Sequence, residues 1–463
     1  MSQVTTIVEN TNKPTEPSNI KKQKIAFVGI GHRAGSWLRP ATTEYAEYAQ
    51  VVGLCDPVKQ RCLDALEDWQ IDAPVFTNID EMLTATRPDL TVITSPESVH
   101  REHIVKALQS GSRVATEKPL CVTGDDAQAI LQAQQQFGQP ILMGFNYRLM
   151  PISMKIKEII MSGVIGRPLS VQLNWMLDYD GHGGSYFRRW HGQMDQSGGL
   201  LITKATHHFD LVNWWIGDRP KQVFAQCRLN RFGAAHSPFG SDHGTRCRDC
   251  HQAKHCHMFQ QIDPQQRSAE LGYHVKQVHD YAGDQCVWRP EIDIYDTHAL
   301  TVEYANGCLL SYSLNATAPY EGWNMVVNGS LGRLEVAVED AKPTMDWQSH
   351  FVILKHGPGV QQLPKDKYYV TNWPAEYQIH VLPIDQVAYT VKVPNILEGH
   401  GGGDRKIMHT AYAPIDQQIT DDPLHTKASA IDGARSMAIG AAANLSTQLH
   451  RSVEIEEILG HWA

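Results

Sequence analysis

Between residues 24 and 146, compact apolar runs alternate with amphipathic stretches. Residues 24–30, 51–56, 90–95, 113–118 and 140–146 are short and rich in β-branched side chains, and they lack polar alternation. That is the pattern of parallel strands buried on both faces. Residues 58–69, 100–110 and 124–137 lie between them with apolar positions at helical spacing. Strand–helix–strand repetition predicts a doubly wound parallel sheet, a Rossmann-type α/β domain over 24–146.

Beyond residue 146 the pattern changes. Residues 154–162 and 206–216 read as helices and 168–177 as a strand. Residues 300–305 and 308–315 alternate around Asn306-Gly307, a strong short-range hairpin signal. A second hairpin is predicted around 328–333, and the Ala-rich stretch 428–449 predicts a closing helix. Residues 147–463 are therefore expected to form an α+β domain with a large, mainly antiparallel open sheet and helices on one face. Residues 231–290 fit neither period and read as an insertion, and the polar residues 1–23 read as a disordered tail.

Composition narrows the class. The 463 residues suffice for two or three domains, and 42% hydrophobic against 20% charged residues is ordinary globular composition. A net charge of -9 without a basic stripe argues against nucleic acid as the main partner. No apolar run approaches the roughly 18–20 residues of a membrane helix. The amino terminus lacks the apolar segment of a secretory signal, so a cytoplasmic location is expected. Stable disulfides are rare there, so the nine cysteines need another explanation.

The first strand runs into Gly29-Ile30-Gly31-His32-Arg33-Ala34-Gly35. Gly29 suits a tight turn, Gly31 a close approach of backbone to a pyrophosphate, and Ala34 close helix–strand packing. The phosphates are expected at the helix N-terminus. The second strand ends in Asp56, which suits ribose hydroxyls and repels a 2′-phosphate, so NAD is favoured over NADP. Arg33 and Lys59 leave NADP open. Two later strand ends, Ser95-Pro96-Glu97-Ser98-Val99-His100 and Thr116-Glu117-Lys118-Pro119, border the expected nicotinamide position, because open α/β sheets bind ligands beyond their carboxyl ends.

Glu117-Lys118-Pro119, the Gly29/Gly31 turn, Ser95-Pro96…His100 and Gly144-Phe145-Asn146-Tyr147-Arg148 resemble the glucose-fructose oxidoreductase / inositol dehydrogenase / rhizopine-catabolism (Gfo/Idh/MocA) family of NAD(P)-dependent oxidoreductases. So do Gly198-Gly199-Leu200, His207-His208-Phe209-Asp210 and Trp214. The resemblance runs from about residue 24 to the closing helix. It implies cofactor contacts at Gly29, Gly31, His32, Arg33, Asp56, Ser95, Pro96, His100, Glu117 and Lys118. It implies catalytic roles for Lys118, beside the reacting hydroxyl, and for His207 as acid/base. It also implies a homo-oligomer, with the open sheet in the contact. The sequence departs from the family at Thr203, where many relatives carry an Asp; Lys204 follows.

Substrate contacts are expected from Asn146, Arg148, Lys204 and Asp210, and from the aromatic–cationic run Tyr186, Arg189, Trp190 and His191. His400 and Asp404 flank three glycines and are expected at the same pocket. The reaction expected first is NAD-dependent oxidation or reduction at a secondary hydroxyl of a sugar, cyclitol or glycoside. Two alternatives stand beside it. One is a redox-neutral, NAD-dependent glycoside hydrolase. The other is a non-catalytic sugar or nucleotide sensor. Cys247-x-x-Cys250, Cys256 and Cys286 could form a structural zinc site in the insertion, with free thiols or a redox disulfide as the simpler reading.

Overall fold

Two sheets carry the chain. The computed structural model describes residues 21–179, 181–260, 283–341, 374–397, 399–413 and 422–463. Most of the expected tail and residues 261–282 of the expected insertion lie outside the described residues.

The first sheet is parallel. Its strands are β1 (Gln23–Val28), β2 (Ala49–Cys55), β3 (Val75–Phe76), β4 (Leu90–Ile93), β5 (Arg113–Thr116) and β6 (Ile141–Met143), in the order β3-β2-β1-β4-β5-β6. The order reverses between β1 and β4, which opens a crevice beyond their carboxyl ends. All four residues of β4 are buried, as a central parallel strand requires. Helices Lys59–Asp68, His100–Gln109 and Gly124–Phe137 stand where helical spacing places them. The last opens on Thr123, whose hydroxyl accepts from Asp126 N, and closes on left-handed Gly138.

The second sheet has β7 (Pro168–Asp178), β8 (Pro220–Arg228), β9 (Thr297–Tyr304), β10 (Leu309–Ala318), β11 (Glu321–Gly329), β12 (Gly332–Ala341), β13 (Glu376–Pro383), β14 (Tyr389–Pro394) and β15 (Val453–Glu454). Their order is β14-β13-β12-β11-β7-β10-β9-β8-β15. Among the described strands of this sheet, only β7 and β10 pair in parallel; the other pairs are antiparallel. Both expected hairpins are present. Gly307 takes φ +82° between β9 and β10, and Asn328 pairs with Arg333 across β11 and β12.

One face of this sheet, with Val171, Leu173, Trp175 and Leu177 of β7, is buried. Helices Pro151–Met161, Thr206–Ile216 and Ala430–Leu449 contribute to the same core. The closing helix approaches backbone closely: a Cβ on Gly440 would lie 2.5 Å from Leu201 O. Helix Gly403–Tyr412 returns to the first domain. Its Ile407, Met408, Ala411 and Tyr412 join Trp37 and Leu38 in one core, and Tyr412 Oη donates to Trp37 O at 3.0 Å.

The zinc expectation finds no support here. Among the described residues, which include all four cysteines, no three His, Cys, Asp or Glu are placed to hold a metal ion. Each of three thiols has its own protein partner. Cys247 Sγ accepts from Arg188 Nη1 at 3.6 Å, Cys250 Sγ from Gly244 N at 3.3 Å, and Cys286 Sγ from Trp288 N at 3.4 Å. Burial keeps the Cys286 thiol up at about 11 and raises that of Cys256. Asp284, 2% exposed, gathers Arg246 and Arg248 and fastens this region by charge. Among the described residues, no helix is long and apolar enough to cross a membrane.

Candidate active site at the domain boundary

The Gly-rich turn is fixed by its neighbours. Gly29 has φ +85°, and a Cβ there would lie 2.5 Å from Ser95 Cα. Only glycine fits that conformation and that approach. Asp56, 3% exposed, accepts from Ile30 N at 2.9 Å and Val58 N at 2.8 Å, with Arg61 Nη1 at 3.4 Å. It therefore holds the turn as well as ending β2. A Cβ on Gly31 would meet nothing within 4 Å. Helix His32–Thr42 begins there with no side-chain cap and no acidic residue in its first turn, and His32 is exposed. An open glycine at an uncapped helix N-terminus fits a dinucleotide pyrophosphate.

Pro96 opens the short turn Glu97–Val99 after β4. His100, 1% exposed, braces the two strand ends: Nε2 meets Ser95 O at 2.8 Å and Nδ1 meets Pro119 O at 2.9 Å. The Ser95 hydroxyl pairs with His103 Nδ1 at 2.9 Å. The Lys118–Pro119 peptide is cis.

A charged chain crosses from one domain to the other. Glu117 Oε1 accepts from Arg33 Nε at 2.6 Å and Trp37 Nε1 at 2.7 Å. Arg33 Nη2 donates to Asp404 Oδ1 at 2.7 Å. Asn146 Nδ2 donates to the same oxygen at 2.7 Å, and His400 Nδ1 lies 2.7 Å from Asp404 Oδ2. Burial works against both charges, yet the paired groups prevail. The Asp404 carboxyl is held well below the usual carboxylate range by His400 and Arg33, and Arg33 is raised by Glu117 and Asp404.

Lys118 reaches the second domain and donates from Nζ to Thr203 O at 2.6 Å. The Thr203 hydroxyl donates to Glu97 Oε1 at 2.7 Å, and His191 Nε2 stands 4.0 Å from that oxygen. Burial lowers Lys118 and raises Glu97. His207, in the first turn of helix Thr206–Ile216, stacks on Tyr147 with centroids 4.0 Å apart and planes at 14°. Its Nδ1 has no hydrogen-bond partner among the described residues. Burial, then Lys118 and Lys204, push the imidazole well below its ordinary range and hold it neutral. Lys204 Nζ sits 4.7 Å from the Trp175 ring centroid and 5.8 Å from that of Tyr147. The His400 ring lies 6.4 Å from His207.

Lys118, Lys204, His207, His191, His400, Asp404 and Asn146 are thus drawn towards one boundary. Tyr186 lies beside His191, with centroids 5.4 Å apart, and Trp190 stacks on His191 at 3.7 Å. Arg188 turns away to Met258 O at 2.6 Å, and the Arg189 carbonyl accepts from Arg289 Nη2 at 2.8 Å. Arg148 and Asp210 bind each other through two bonds, at 2.8 and 2.6 Å, and are almost fully buried. That pairing gives them a structural task in place of the expected position against substrate. Glu97 and Tyr147 were not assigned from the sequence, although both lie inside the segments that carry the family resemblance. A carboxylate therefore stands beside Thr203 after all, supplied by the other domain.

A dinucleotide-binding turn at a sheet reversal, faced by lysine and histidine across a domain boundary, defines a two-domain oxidoreductase architecture. The chain belongs to the Gfo/Idh/MocA family. Residues 23–145 match the model for the oxidoreductase family NAD-binding Rossmann fold, and residues 157–455 match the model for its C-terminal alpha/beta domain. It is 33% identical to YteT of Bacillus subtilis (strain 168) over 454 residues, covering 94% of this chain and 98% of YteT. It is 28% identical to inositol 2-dehydrogenase of Salmonella paratyphi B over 201 residues, covering 43% of this chain and 56% of that enzyme. Levoglucosan dehydrogenase, solved with NADH and levoglucosan, shares the fold at a TM-score of 0.62 and 16% identity, covering 94% of this chain and 100% of that one.

Proposed function

We propose that the protein uses NAD to oxidise, or in reverse to form, a secondary hydroxyl of a sugar, cyclitol or glycoside. The observation that carries this reading is that Lys118, after β5, reaches Thr203 O at 2.6 Å, four residues before His207, close enough for its charge to act on that imidazole. Bound NAD would supply a hydride acceptor held by the Gly29–Gly31 turn and the helix that follows. Lys118 places a cation where negative charge grows on the reacting oxygen. His207, held neutral, takes the proton that leaves that oxygen. Tyr147 keeps the imidazole ring in place by stacking. The carbohydrate dehydrogenases among the relatives support a polyhydroxylated small molecule as substrate.

NAD is favoured over NADP on two grounds. Asp56, bonded by Ile30 N, Val58 N and Arg61, keeps a carboxylate just beyond the end of β2, and the guanidinium of Arg33 is already bound to Glu117 and Asp404. A second reading, redox-neutral glycoside cleavage, draws on His400, an additional proton-transfer group whose ring is 5.8 Å from that of Tyr147.

The test starts from purified protein. Nucleotide released on denaturation is identified, and binding of NADH and NADPH is compared. A panel of sugars, cyclitols and glycosides is then followed for NADH formation and, separately, for glycoside cleavage. Tighter binding of NADH and NADH formation with a polyol support the first reading. Cleavage without net NADH supports the second. Preference for NADPH, or no turnover across the panel, contradicts the proposal.

A further inference from the structure

We infer that Glu97 is a positioning residue of the reaction centre, the carboxylate through which the NAD-binding domain fixes Lys118 against the second domain. The inference rests on the reading that Lys118 works at that centre. Glu97 opens the short turn Glu97–Val99 that follows β4, and its side chain is buried with 8% of the residue exposed. It accepts the Thr203 hydroxyl at 2.7 Å, while the Thr203 carbonyl accepts Lys118 Nζ at 2.6 Å. Two side chains of one domain thus grip opposite ends of one residue of the other, four positions ahead of His207.

The charges single out this pairing. Around Lys118 stand Glu97, Glu117 and Arg33 from the first domain and His182, His191 and His207 from the second. Glu117 is engaged by Arg33 and Trp37, and Arg33 by Glu117 and Asp404. Around Glu97 stand Lys118, His100 and His191, and His191 is held neutral by burial. His100 already contacts two carbonyl oxygens. A carboxylate taken out of water needs a charged or hydrogen-bonding answer, and Lys118 with Thr203 provides both.

Trace acetylation tests this without turnover. The full-length protein is exposed to trace acetic anhydride across a pH series, and the labelling of each lysine is read by peptide mass spectrometry, which gives Lys118 its own titration curve. Glu97→Gln keeps an acceptor for Thr203 but removes the charge, and its Lys118 midpoint is expected to fall by about one pH unit. Glu97→Asp restores most of that shift. Thr203→Val keeps the charge but cuts the hydroxyl bond, so Lys118 labels faster at a nearly unchanged midpoint. An unchanged midpoint in folded Glu97→Gln overturns the inference. If that variant does not fold, wild-type labelling rates in Thr203→Val overturn it equally. Wild-type turnover by Lys118→Ala removes the catalytic reading instead, and leaves the measured coupling to Glu97 in place.

Discussion

His207 carries the sharpest expectation at the scale of single residues. Burial and two nearby lysines depress its pKa, so the neutral, proton-accepting form persists as pH falls below the ordinary histidine value of about 6.5. Protonation, and with it loss of the base, comes only at the depressed value. The acidic limb of kcat/KM for polyol oxidation is therefore expected below pH 6.5, and His207→Asn should lower kcat by about 10²–10⁴ and abolish that limb. A limb at or above 6.5 in the wild type would count against His207 as the base. Residue chemistry was only partly legible in the sequence. Local pattern placed Lys118 at a strand end and His207 at a helix start, and the family resemblance supplied the roles proposed for them. Arg148 and Asp210 looked equally suited to a polar ligand, but a sequence does not show whether a charge meets a substrate or an opposite charge 62 residues away.

At the scale of elements, the helix after the Gly-rich turn and the helix from 403 are tied together by Arg33 and Asp404. Gly29→Ala must relieve both a left-handed backbone and a 2.5 Å contact with Ser95 Cα, so loss of NADH binding is expected, read by NADH fluorescence. Asp404→Asn weakens the partly buried bond to Arg33, at an expected cost of about 1–3 kcal/mol in thermal or denaturant unfolding. The sign with pH follows from the depressed Asp404 carboxyl. Its contribution is present above the unfolded value of about 4 and is lost as pH falls below it. The stability gap between wild type and Asp404→Asn should therefore be constant near neutrality and shrink below about pH 4. Uninterrupted apolar runs and an Asn-Gly turn made the main strands and hairpins readable. The two residues of β3 and the eight-residue helix Ile79–Thr86 are too short to show a period. The return of helix Gly403–Tyr412 to the first domain is a tertiary event that no local pattern encodes.

For the whole molecule, the joint between domains is where the proposed chemistry lies, and the outer face of the large sheet is where a second copy is expected. At its centre, on β7, β10 and β11, that face carries amide and hydroxyl groups. Asn174 Nδ2 donates to Asn324 Oδ1 at 3.0 Å, and Ser313 Oγ donates to Asn174 Oδ1 at 2.7 Å. An antiparallel sheet can face water on one side, so the contact expected there is polar and open to disruption by charge. Light scattering should give a multiple of the 51.9 kDa chain, reduced to one chain by Asn174→Arg; a wild-type monomer would remove the expectation. The central claim, that Lys118 serves NAD-linked chemistry at this joint, is tested most directly by following NADH formation from NAD and a polyol with wild type and Lys118→Ala side by side. The account predicts a fall in kcat of about 10²–10³ with NADH affinity little changed. Equal turnover by the two proteins would contradict it.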